Sequence, residues 1–104
     1  MSNLFKKEDL KGIPALYEQD GKGENAIVHF VVEIPFSGFC WLLTEYSEEE
    51  DLFFGFACLN DIQCAELGYI SKSELEDLAK RYSLKALKVE ITLKEAKEKY
   101  IKEV

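Results

Sequence analysis

The chain has 104 residues, and its 13 lysines and arginines against 20 aspartates and glutamates leave a net charge of −7. That length fits one domain over residues 1–104 with one core, its 47% hydrophobic content argues against disorder along the whole chain, and its charge disfavours direct binding to nucleic acid. No apolar run approaches the roughly 20 residues that cross a bilayer, and the N-terminus, charged from Lys6 to Asp9, lacks the apolar region of a signal peptide, so no membrane contact and a cytoplasmic location are expected.

Residues 4–13 read as a short helix with Leu4, Phe5, Leu10 and Ile13 toward the core, stopped by Gly12 and Pro14. Residues 18–25 read as a surface loop. Residues 26–34 form the first strand, with Ala26, Val28, Phe30, Val32 and Ile34 on one parity and all apolar. Pro35 to Gly38 supplies a turn. Residues 39–46 and 52–59 are the second and third strands, joined by the acidic turn at residues 47–51, and residues 63–70 are a fourth. Connections this short favour an antiparallel meander, since parallel pairing needs crossovers of a dozen residues or more.

Two helix starts follow. Ser71 with Glu74, and Thr92 with Glu95, have the spacing of a capping box, in which the hydroxyl accepts the N–H three residues on. Leu75, Leu78, Ala79 and Tyr82 share one helical face, and Leu93, Ala96, Tyr100, Ile101 and Val104 fall at helical spacing in the second helix. Between them Leu87, Val89 and Ile91 alternate with Lys88, Glu90 and Thr92, the pattern of a short fifth strand. The expected fold is α+β: an antiparallel four- to five-stranded meander with a short N-terminal helix and two C-terminal helices.

No catalytic or cofactor pattern stands out. Cys40, Cys58 and Cys64 lie in apolar segments and read as reduced, buried thiols. His29 is the single histidine and reads as a satisfied sheet residue. Cysteine spacing does not suit zinc, and the glycines form no phosphate cradle. The acids at Glu48, Glu49, Glu50 and Asp51 are consecutive, so they diverge along a turn where a hard cation needs them to converge. Aromatics are concentrated in the strands, and residues 39–46 and 52–59 are apolar on both parities. Either a helix or loop covers each sheet face, or an uncovered face is an interface, for a partner or for a second copy.

Several segments carry a resemblance: Ile13-Pro14-Ala15-Leu16-Tyr17, then Trp41 with Thr44-Glu45-Tyr46, then Glu50-Asp51-Leu52-Phe53-Phe54-Gly55, and Glu66-Leu67-Gly68-Tyr69-Ile70-Ser71 with Glu74-Leu75. In these the chain resembles a family of short bacterial proteins of unknown function that are common on conjugative plasmids, integrative elements and phages. It departs from the family's pattern where Ser47-Glu48 stands in place of Asp-Pro, and in ending on an amphipathic helix where relatives often carry a basic or proline-containing tail. The resemblance implies a mobile-element origin and no particular reaction.

The expected function is therefore that of an accessory protein binding another protein, one of basic or DNA-binding character, through an acidic and aromatic surface, without a cofactor. The candidate binding residues are Trp41, Glu45, Tyr46, Glu50, Asp51, Phe53, Glu66 and Tyr69. The alternative is a small metal-assisted enzyme using Glu45, Asp51 and Glu66 from the strand ends.

Overall fold

The computed structural model describes residues 4–35, 37–59 and 66–101, without the side chains of residues 59 and 66. Five strands form one antiparallel sheet in the order β4-β3-β2-β1-β5, with β1 at Ile27–Glu33, β2 at Phe39–Ser47, β3 at Leu52–Leu59, β4 at Glu66–Ser71 and β5 at Lys85–Thr92. The first four strands are a meander. β5 returns antiparallel to β1, after helix α2 at Lys72–Arg81 has crossed the sheet. Helix α3 follows at Leu93–Tyr100, and the N-terminal helix α1 is shortened to Lys7–Leu10. The α+β expectation holds.

The hydroxyl half of each capping box forms. Ser71 Oγ accepts the Glu74 N–H at 3.2 Å and Thr92 Oγ1 accepts the Glu95 N–H at 3.2 Å, so each hydroxyl satisfies a backbone donor that the first helical turn leaves unpaired.

The apolar content of both strand parities is used by splitting the helices between the two sheet faces. Under α1 and α2, Phe5, Phe30, Val32, Trp41, Phe53 and Leu75 make one cluster. Under α3, Val28, Val31, Leu42, Phe56, Leu93 and Ala96 make the other. Cys40 and Cys58 are free, buried and opposite each other across β2 and β3 on the α3 side. Cys64 lies outside the described residues.

Breaks in register correct the parity expected of the first strand and reverse the alternation within β2. The β1–β5 ladder shifts between Val28 and Phe30. Val28 therefore joins Val31 on the α3 side, while Phe30 and Val32 pack on the other. In β2 the pairs Leu43–Gly55 and Glu45–Phe54 leave Thr44 as the extra residue of a bulge, and Tyr46 comes out on the same face as Leu43. A bulge inserts one residue and so reverses the alternation beyond it. Gly55 is where this bulge presses on β3. A Cβ there would lie 2.0 Å from the Leu42 carbonyl oxygen and 3.0 Å from the Leu43 Cα.

Candidate functional site: a tyrosine-framed groove beside β4

The β1–β2 ladder ends at the pair Phe30–Leu43. Beyond it the two strands separate, and residues 14–20 fill the gap. The Tyr46 N–H donates to the Pro14 carbonyl at 2.9 Å. The Gln19 side chain then acts as a peptide unit would in a ladder. Its Nε2 donates to the carbonyls of Ile27 at 2.9 Å and Thr44 at 2.8 Å, and its Oε1 accepts the Ile27 N–H at 2.6 Å. The Glu45 carboxylate accepts the Tyr17 N–H at 2.9 Å through Oε1 and the Gln19 N–H at 2.6 Å through Oε2. Gln19 and Glu45 are buried, and these bonds supply the partners their burial requires. The Thr44 hydroxyl donates to the Phe54 carbonyl at 3.0 Å.

The network ends on an exposed ring. Tyr17 has φ +74° and is 69% exposed, a backbone conformation that a bulky residue keeps only when its surroundings impose it. Its hydroxyl accepts a hydrogen bond from the Tyr69 hydroxyl at 2.7 Å. That bond, with lesser contributions from burial and from the charges of Glu45 and Glu50, pushes the Tyr69 phenol up to about 12. The Tyr69 ring meets Phe54 edge-on with centroids 5.4 Å apart. Behind the two tyrosines is a hollow of about 280 Å³ whose walls include Phe54 and Leu67 and whose polar groups include Asp20 and Glu45. It occupies the part of the α3-side face that α3 leaves uncovered, where Leu67 is 48% and Tyr69 51% exposed.

The segments that carry the family resemblance are far apart in sequence and meet here. Tyr17, Thr44 with Glu45, Phe54, and Leu67 with Tyr69 all line the same hollow, while Gly55 gives the β2 bulge its room. Residues 9–99 match a family of proteins of unknown function, DUF2958. The chain belongs to that family. Neither the curated proteins nor the solved structures gave a match.

Of the candidate residues read from the sequence of this DUF2958 protein, the groove brings together Glu45 and Tyr69, with Glu50 close enough to act on the Tyr69 phenol. Trp41 and Phe53 are buried under α1 and α2. Tyr46 is half-buried on that same side, stacked on Phe53 at 4.8 Å, and its phenol is raised by burial first and then by Glu48, Asp51 and Glu76. Asp51 has φ +58° and accepts the Ser73 N–H at 3.2 Å and the Ser73 hydroxyl, so it holds the acidic turn against the start of α2. The Glu66 side chain lies outside the described residues. Glu45 and Asp51 line different hollows, and among the described residues no three His, Cys, Asp or Glu side chains converge as a metal site. His29 is half-buried beside β5, its pKa lowered by burial, with Glu90 opposing and Lys88 adding to the shift. No described helix is long and apolar enough to cross a membrane.

Gln19 escaped the sequence reading because the composition of residues 18–25 reads only as loop, and Tyr17, just before them, falls outside every predicted element. A trace was present, since Tyr17 ends the first segment of the family resemblance.

Proposed function

We propose that this protein is an accessory factor of a mobile genetic element, acting in the cytoplasm by binding another protein at the groove beside β4. The observation that carries the reading is the convergence of four separate segments on a partly exposed aromatic surface. A buried polar network holds that surface in place. Hydrogen bonds commit both oxygens of Glu45 and both polar atoms of Gln19 to the protein's own backbone. The network therefore supports the position of Tyr17, while the exposed rings are left to make contact. Exposed tyrosines over an apolar hollow, with carboxylates at the rim, fit the aromatic core and polar rim of protein-recognition surfaces. The chain's negative charge favours a basic partner and steers its approach.

The test is quantitative affinity capture from a bacterial lysate with the wild-type chain and with a Tyr17→Ala/Tyr69→Ala double variant, at low and high salt. A partner should be enriched by the wild type, lost with the variant and weakened by salt, because a Debye length near 10 Å at 0.1 M screens the steering charges. Equal capture by both chains refutes the groove as the binding surface.

A further inference from the structure

We propose that the outer edge of β4, unpaired among the described residues, takes an extended, basic segment of a partner polypeptide as a sixth strand of the sheet. The proposal rests on the binding reading above and adds the chemistry and backbone conformation of the partner.

The ladder shows which groups β4 offers. The Ile34 N–H donates to the Phe39 carbonyl at 3.2 Å, which makes 34 and 39 a hydrogen-bonded pair. Carrying the antiparallel alternation through the observed registers turns the backbone groups of residues 66, 68 and 70 toward β3 and those of Leu67 and Tyr69 outward. β4 is the outermost strand, and among the described residues no element pairs with its outer side. The opposite edge differs. β5 exposes Lys85, Lys88 and Glu90, the charged side chains that discourage another strand from docking. β4 presents Leu67, Gly68 and Tyr69 instead.

An added strand would lie about 4.8 Å from β4 and send successive side chains to opposite faces. A hollow exists on each side of β4 to receive them. The tyrosine-framed groove is on the α3 side. A second hollow of about 340 Å³ on the α2 side is lined by residues including Trp41, Ile70, Glu74 and Leu78. An edge strand with a pocket for each parity of side chain is the geometry of strand-addition recognition, in which backbone bonds supply affinity and pockets supply selectivity.

Charge selects the occupant. Among the described residues the two hollows contain Asp20, Glu45 and Glu74, and neither contains a lysine or arginine. A segment carrying lysine or arginine among apolar residues complements them. A second copy of this chain, itself at −7, would bring acids against acids.

The experiment selects displayed random linear peptides on the wild-type protein and on Leu67→Pro. Proline at 67 removes an outward-facing N–H while leaving the β3–β4 ladder intact. Circular dichroism and thermal melting confirm that the variant is folded, and Leu67→Lys serves as a second variant if it is not. Selected peptides should be basic with alternating apolar residues and free of internal proline. They should bind the edge variant about tenfold more weakly, the equivalent of one lost backbone bond. They should also slow hydrogen exchange at the Leu67 and Tyr69 amides. Failure to enrich any peptide overturns the proposal, as do acidic or helix-patterned winners and binding without protection of those amides. Protection that instead rises with the protein's own concentration identifies a second copy as the occupant and also overturns it. If the Tyr17→Ala/Tyr69→Ala variant loses the captured partner while Leu67→Pro keeps it, the edge proposal fails and the groove reading stands.

Discussion

Replacing Gln19 by alanine tests whether the loop at residues 14–20 is part of the sheet in energetic terms. The substitution removes three hydrogen bonds, leaving the Ile27 N–H, the Ile27 carbonyl and the Thr44 carbonyl without their partner. An unsatisfied buried backbone group costs about 1–3 kcal/mol. Ile27 is half-buried, so water can reach part of what is exposed, and the net loss should be about 3 kcal/mol, the low end of the sum. A domain of this size is stable by about 5–15 kcal/mol, so the loss should lower Tm by about 12–24 °C. Guanidinium titration followed by far-ultraviolet circular dichroism measures it. Glu18→Ala is the control, because among the described residues its carboxylate accepts only the exposed Ala15 N–H and surface changes of this kind stay within about 0.5 kcal/mol. A Gln19→Ala loss below about 1 kcal/mol would mean that the strands close without the carboxamide, and the account of the gap would be wrong.

Gly55→Ala should destabilise the fold by about 1–3 kcal/mol, because the new Cβ meets backbone of β2; a neutral effect in denaturant titration would show that the bulge relaxes freely. Ser71→Ala and Thr92→Ala should each cost about 0.5–2 kcal/mol, read from the same titrations, and additivity in the double variant is expected because the caps start different helices. Tyr69 should titrate near 12 and move toward the ordinary value of about 10 in Tyr17→Phe, followed by ultraviolet absorbance of the phenolate. The folded-state pKa is raised, so the hydroxyl pair's contribution to stability is complete below about pH 10 and is lost as pH rises toward about 12; an unshifted Tyr69 would refute the bond. Burial pushes the Cys40 thiol up to about 12, so Cys40, like the buried Cys58, should be alkylated slowly in the native protein and quickly after unfolding; rapid native labelling of both would contradict their place in the core.

Local rules carried much of the fold. Alternation marked the strands, hydroxyl-to-glutamate spacing marked the starts of α2 and α3, and short connections implied an antiparallel meander. Each of these depends on a few neighbouring residues, so the sequence alone determined it. Apolar residues on both strand parities also implied two faces to cover, and α3 does cover most of the second. The tertiary structure alone decided the reversal of parity at Thr44, because a bulge is set by what the neighbouring strand allows, and here Gly55 allows it. It likewise decided the burial of Trp41 and Phe53, which share their aromatic character with the exposed Tyr69 and differ only in the face and strand that hold them. Gln19 and Tyr17 are the clearest case. Their roles require Ile27, Thr44, Glu45 and Tyr69, residues 8 to 52 positions away in the bonds they make. A polar side chain acquires such partners only when the chain folds back and two strands part to leave their peptide groups unpaired.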